Sequence, residues 1–239
     1  MQRLIPQLLD RIDLVIFDLA GTTLRVGDYV TGAFRQAFKE FGVMLKSEEI
    51  NAIRGRSKRE ALAILLQRHL GSQAATRTES VHQTFQELLR KYVLEQGVKT
   101  ISGAGEIIGW LKDRDVLIAL NTGIDRHIAS LMLDSISWSG IADAVICGDD
   151  VNRGRPAPDL ILKAMELTGC NDASRVLAIG DTCYDMQAAH NAGVLAIGVL
   201  SGASNEKQLR AACPHYAVIP SVADLQEVLG QKTLEKSWL

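Results

Sequence analysis

The chain has 239 residues, 47% of them hydrophobic, and a net charge of −2 at pH 7. That is enough for one large domain, or one domain plus a smaller one, with a well-buried core. The near-neutral charge gives no electrostatic reason to expect a nucleic acid or an anionic membrane as partner, and no apolar run approaches membrane-spanning length.

The first thirteen residues carry Asp10, Arg11 and Asp13 and lack the apolar segment of a signal peptide. Leu14–Phe17 then forms a short, continuous apolar run, followed by Asp18-Leu19-Ala20-Gly21-Thr22-Thr23. A buried strand that delivers a carboxylate to a small, flexible turn is where open α/β sheets place their chemistry. From Leu24 to Lys99 no run reads as a strand. Phe34, Ala37, Phe38 and Phe41 make a helical stripe, Ala61–Leu70 reads as helix, and Val81, Phe85, Leu88, Leu89 and Tyr92 make a second stripe. The glycine-rich segment Gly103–Gly109 has the wrong spacing for a dinucleotide loop and reads as the start of a helix.

Beyond residue 100 the rhythm becomes strand and helix in alternation. Apolar runs at Val116–Leu120, Ala144–Cys147, Val176–Ile179, Leu195–Leu200 and Tyr216–Ile219 have the composition of strands buried on both faces. Helical faces separate them, among them Ala104, Ile107, Ile108 and Leu111; Ile128, Leu131 and Met132; and Leu160, Ile161, Ala164 and Leu167. The fold class expected is α/β, a doubly wound parallel sheet with a helical insertion. Residues 1–23 and 100–239 form the core, and residues 24–99 form a cap domain. Apolar residues on the cap helices suit a homodimer interface. The tail Gln231–Leu239 receives no assignment.

Four strand ends carry polar groups that a parallel sheet would bring to one edge. They are Asp18; Asn121-Thr122-Gly123; Gly148-Asp149-Asp150 with Arg155 following; and Gly180-Asp181-Thr182 with Asp185 a helical turn on. Such a set of hard oxygen ligands suits Mg²⁺, which also takes substrate phosphate oxygens. A cation and Arg155 together would neutralise a transferring phosphoryl group, and Thr122 with helix-start N–H groups would hold its oxygens. Any one of these Asp residues taken alone also reads as a helix N-cap. Of Asp149 and Asp150, one is expected at the outer shell of the metal and the other as a cap.

In order and spacing, Asp18-x-Ala20-Gly21-Thr22, Thr122, Arg155 and Gly180-Asp181-Thr182-x-x-Asp185 resemble the four-motif signature of the haloacid dehalogenase superfamily. The resemblance covers nearly the whole core, and the helical insertion matches that superfamily's cap. It implies that Asp18 is the nucleophile of an aspartyl-phosphate. It implies that Asp18, Asp181 and the carbonyl of Ala20 hold Mg²⁺, with Asp185 binding directly or through the shell. Most phosphatases of the superfamily carry a second Asp where this chain has Ala20. Loss of a general acid typically costs roughly 10²–10⁴ in rate, so the leaving group here is one that needs no such proton, or the chain is a poor ester hydrolase.

The chain is similar at that position to the phosphonoacetaldehyde hydrolase (phosphonatase) branch, which cleaves a carbon–phosphorus bond through an imine on a cap lysine. That family's lysine follows a cap glycine by three residues, the place Lys58 takes after Gly55 in Arg54-Gly55-Arg56-Ser57-Lys58-Arg59. Three neighbouring arginines are expected to lower its pKa, as imine formation requires. Arg54, Gly55, Arg56 and Gly123 are the candidate substrate-binding residues. Alternatives for Lys58 are an electrostatic grip on an anionic substrate and a solvated turn. The chain departs from the branch at Arg54, where it has Met; at Ala61, where it has His; at Ile124, where it has an aromatic; and at Asp28, where it has Cys. A related substrate, a phosphomonoesterase without imine chemistry, and a phosphate-binding module without turnover are the remaining readings.

The four cysteines, Cys147, Cys170, Cys183 and Cys213, form no C-x-x-C pair and read as scattered reduced thiols of a cytoplasmic protein. The five histidines are dispersed and suggest no metal cluster. The partner expected is a small phosphorus-containing molecule.

Overall fold

The computed structural model describes residues 8–212 and 217–230. Six strands form one parallel sheet: β1 Leu14–Asp18, β2 Leu117–Asn121, β3 Ala144–Ile146, β4 Val176–Gly180, β5 Leu195–Val199 and β6 Ala217–Ile219. Their spatial order is β3-β2-β1-β4-β5-β6. The order reverses between β1 and β4, so the crevice beyond their carboxyl ends is the topological switch point. This is the doubly wound α/β core expected from the sequence. Tyr216, Cys213, His215 and the tail 231–239 lie outside the described residues.

Alternating side chains along each strand feed two cores. Leu14, Ile16, Ala119, Ile146, Val176 and Ala178 face one layer, which holds α7 (Asp159–Thr168) and α8 (Cys183–Ala192). Val15, Phe17, Ile118, Leu120, Leu177 and Ile179 face the other, packed by α5 (Ala104–Lys112) and α6 (Arg126–Ser135). Burial on both faces is why the strands read as continuous apolar runs. Three of them reach one residue further than the apolar pattern does: β4 to Gly180, β2 to Asn121, and β1 to Asp18, which pairs in register with Asn121. The ladder continues through these polar residues because backbone pairing does not depend on side-chain polarity. β3 and β5 each stop one residue short of the apolar run, before Cys147 and Leu200.

Between β1 and β2 lies an insert built from four helices: α1 Gly27–Glu40, α2 Ser47–Asn51, α3 Lys58–Leu70 and α4 Ala74–Gln96. It contains no strand. α4 packs against both α1 and α3, and the two aromatic stripes meet there, with the Phe34 and Phe85 rings 4.7 Å apart. The apolar centre of the insert is continuous with one of the two sheet cores. Its two connections to the sheet run side by side. Leu24 and Thr100 form an antiparallel bridge, Arg25 N donates to Lys99 O at 2.8 Å, and Ile101 N donates to Thr23 O at 2.8 Å.

Phe85 is 1% exposed at the centre of the insert. Phe85→Ala should therefore lower unfolding stability by about 3–5 kcal/mol in urea titration. A loss of only about 0.5 kcal/mol, typical of a surface change, would contradict this packing.

Candidate active site

Asp18 closes β1 and is 4% exposed. Its backbone carbonyl accepts from Thr23 Oγ1 at 3.0 Å, which fixes the turn. Arg155, 2% exposed, reaches it from the segment between β3 and α7. Arg155 Nη2 lies 2.8 Å from Asp18 Oδ1, and Arg155 Nε lies 2.9 Å from Asp185 Oδ1. The same guanidinium donates to Asn121 Oδ1 and, through Nη1, to Gly55 O of the insert at 3.3 Å. A fully buried charge is tolerated only when paired and hydrogen-bonded, and here every edge of the fork has a partner.

Asp181 follows β4 directly. Its Oδ2 accepts from Ala203 N at 2.7 Å, while its buried Oδ1 has no hydrogen-bond partner. Gly21 and Gly202 press against it: a Cβ at Gly21 (φ +96°) would come within 2.5 Å of Asp181 Oδ2. Burial raises the Asp181 carboxyl well above its usual range, and the charges of Asp18 and Asp185 push it further. Burial also raises Asp18, to about 6, against the pull of Arg155.

These features fit the cation that the motif pattern implies. Two neighbouring buried carboxylates, one with an orphaned oxygen, lie beside Ala20 on the wall of one cavity. Mg²⁺ is commonly held by one or two carboxylates, with waters and substrate oxygens filling the remaining positions. Among the described residues no three His, Cys, Asp or Glu side chains form a metal cage unaided, so that open coordination is the one the site offers. Asp185 is differently employed. Its Oδ1 faces Arg155, and its Oδ2 accepts from Thr182 N at 2.9 Å and Thr182 Oγ1 at 2.6 Å in a capping box. With both oxygens engaged by protein donors, Asp185 holds Arg155 in place.

The insert closes over this edge. Lys58, the first residue of α3, is 7% exposed. Its N–H donates to Gly123 O at 2.9 Å, and its Nζ donates to Arg56 O at 3.3 Å. Gly154 N donates to Glu60 Oε1 at 2.9 Å, and Tyr184 OH donates to Ala52 O at 2.9 Å. Gly123 permits this docking: a Cβ there would meet Arg56 O at 2.4 Å. Between insert and sheet edge lies a cavity of about 580 Å³, whose walls include Asp18, Ala20, Lys58, Thr122, Arg155 and Asp181.

The pKa of Lys58 is lowered to about 8. The cause differs from the one expected. Burial dominates, and Arg155 and Arg54 add to it, while Asp18 opposes it. Of the other two neighbouring arginines, Arg56 stacks 4.5 Å over the Tyr184 ring and Arg59 pairs with Glu79 at the surface. Arg54 and Gly55 line the cavity with Gly123; Arg56 contributes its carbonyl. Thr122 is buried on the cavity wall, its Oγ1 accepting from Ile124 N at 3.2 Å.

Asp149 and Asp150 turn away from the cavity. Asp149 Oδ1 accepts from Arg126 N at 2.8 Å, and Asp150 pairs with the Arg126 guanidinium and accepts from Cys147 N. Both are engaged around the start of α6, with Asp149 in the capping place. Ala203, which donates to Asp181, and the contact of Asn121 with Arg155 belong to the site but carry no motif. Asn121, named from the sequence at the second strand end, is the polar partner of Asp18 in register. The loop after β5 ends on Ser201-Gly202-Ala203, whose contribution is a backbone N–H that residue identity does not announce.

Comparison with known proteins places this geometry. Residues 15–199 match the family model described as haloacid dehalogenase-like hydrolase. A phosphonoacetaldehyde hydrolase of Bacillus cereus is 32% identical over 208 residues, covering 81% of this chain and 78% of that protein. Among solved structures, a phosphonoacetaldehyde hydrolase-like protein from Oleispira antarctica superposes with a TM-score of 0.82 at 21% identity, over 98% of this chain and 100% of that one. A hydrolase from Pseudomonas syringae gives 0.80 at 24% identity, over 90% and 96%.

Gly123→Ala should leave the sheet core folded while blocking closure of the insert. Hydrogen exchange at the Lys58 amide should then rise toward that of an exposed backbone amide. Protection equal to that of the unmodified chain would contradict the closed contact.

Proposed function

This chain belongs to the haloacid dehalogenase-like hydrolase family, and on that premise we propose that it cleaves a carbon–phosphorus bond in a small carbonyl phosphonate, using Asp18 as nucleophile and Lys58 as imine former. One observation carries this reading: a buried amine with a lowered pKa shares the cavity of the buried aspartate, while Ala20 occupies the place of a general acid. A carbanion leaving group stabilised as an enamine needs no proton at an ester oxygen.

In this reading the neutral Lys58 Nζ attacks the substrate carbonyl carbon; the oxygen takes one proton from Nζ and one from solvent and leaves as water, giving the protonated imine. An Asp18 oxygen then bonds to phosphorus. The carbon–phosphorus bond breaks, and its electron pair flows into the imine to give an enamine. The enamine takes a proton at carbon and is hydrolysed off Lys58, and water releases phosphate from Asp18. Arg155 faces the charge that develops on the phosphoryl oxygens, and Thr122 and Gly123 border it. Asp18, Asp181 and the Ala20 carbonyl would hold Mg²⁺, which supplies charge neutralisation at phosphorus. The insert acts as a lid that opens for substrate and closes to exclude water.

The second reading is a phosphomonoesterase in which Lys58 only grips the substrate. Arg54, standing where the phosphonatase branch has Met, favours it, because an added cation serves anion binding more than imine chemistry.

Phosphate release from phosphonoacetaldehyde with Mg²⁺ separates them. Asp18→Asn should abolish release, because an amide cannot form the acyl phosphate; appreciable residual turnover would remove Asp18 as nucleophile. Lys58→Ala should also abolish release from the phosphonate, whereas partial turnover of phosphate esters by that variant supports the second reading.

The lowered lysine pKa also sets a pH profile. The neutral amine fraction grows as pH rises through about 8. Single-turnover rates should rise up to about tenfold per pH unit below that point and level above it. A rise centred near the ordinary lysine value of about 10.4 would contradict the buried placement.

A further inference from the structure

The hinge between insert and core places two cations side by side. The antiparallel bridge that sets Leu24 against Thr100 also sets Arg25 directly opposite Lys99, and Arg25 N donates to Lys99 O at 2.8 Å. Residues opposite one another across an antiparallel pair project from the same face, and like charges there are destabilising. Both side chains are exposed, and both line the cavity that contains Asp18. Among the described residues neither forms an ion pair.

The charge along the cavity wall is unevenly matched. Arg155 is offset by Asp18, Asp185 and Asp181, and Lys58 by Asp18 and Asp125. At the hinge one carboxylate, Asp28, lines the wall near the two cations. Arg54 adds a further positive group, its guanidinium held by Thr31 Oγ1 at 3.0 Å. Gln96 and Tyr29 line the same stretch and offer uncharged donors. The cavity, about 580 Å³, falls within the ~300–1,000 Å³ usual for ligand pockets and is roomy for a two-carbon phosphonate. A cleft with surplus positive charge concentrates anions.

We propose that Arg25 and Lys99 form a second anion subsite at the hinge, and that the substrate is a small phosphorus compound with another anionic group at its far end. This rests on the reading that phosphorus sits at Asp18, and it narrows the substrate class within that reading. The second group is a carboxylate or a further phosphoryl or phosphonyl group. Its recognition lies on both connections between insert and core, so the ligand that reaches Asp18 also ties the hinge together.

Calorimetric binding to the Mg²⁺-loaded protein tests this without requiring turnover. Three probes are used: ethylphosphonate, which lacks a second anion; phosphonoacetate, which carries a carboxylate; and a propylene bisphosphonate. Phosphonoacetate or the bisphosphonate should bind roughly tenfold more tightly than ethylphosphonate, the sum expected from two partly exposed ion pairs. Whichever does so identifies the second group. The double variant Arg25→Ala, Lys99→Ala should erase that advantage and leave ethylphosphonate binding unchanged; both positions are exposed, so folding is expected to survive.

Equal affinity of all three probes for the unmodified protein would overturn the subsite. So would an equal loss for ethylphosphonate in the double variant. Failure of the phosphorus-transfer reading looks different: the hinge discrimination persists while no phosphonate or phosphate ester releases phosphate.

Discussion

The buried guanidinium of Arg155 is the constraint on which the site depends. It touches β1 through Asp18, β2 through Asn121, α8 through Asp185 and the insert through Gly55 O. Removing one partner from a buried pair leaves an uncompensated charge and typically costs about 3–5 kcal/mol. Four segments distant in sequence are therefore held to one geometry by a single side chain. The orientation of Asp18 and the docking of the insert are set by the same group.

Closure of the insert depends on absent side chains as much as on present ones. Gly55 and Gly123 let two backbones approach across the seam; a Cβ at Gly55 (φ +93°) would come within 2.3 Å of Thr182 Oγ1. That approach carries Lys58 into a dry environment, and the dryness itself lowers its pKa. The reactive state of the amine is thus a consequence of closure. On the proposed reading, a lid that opens to solvent returns Lys58 toward its ordinary protonated form and so confines imine chemistry to the closed state.

Much of this was legible in the sequence because it rests on pattern. Continuous apolar runs announced a sheet buried on both faces, and four of them led into polar residues that the parallel ladder had to bring to one edge. The insert announced itself as helical stripes with no strand between them. What escaped was set by three-dimensional register. Asp149 and Asp150 sit at a strand end like the others, yet the start of α6 claims both. Asp185 has the spacing of a ligand, but Arg155 and Thr182 engage its two oxygens. The neighbouring arginines were a reasonable cause for a perturbed Lys58, and burial proved the larger one, which no count of local charges reveals. The opposition of Arg25 and Lys99 is invisible along the chain because seventy-odd residues of insert separate them.

The central claim is that a cap lysine forms a covalent imine beside Asp18. Borohydride reduction in the presence of phosphonoacetaldehyde and Mg²⁺, read by intact mass and peptide mapping, tests it most directly. The account predicts one stable adduct, mapped to Lys58 and absent from Lys58→Ala. No adduct, or an adduct spread over surface lysines and unaffected by that substitution, would contradict it.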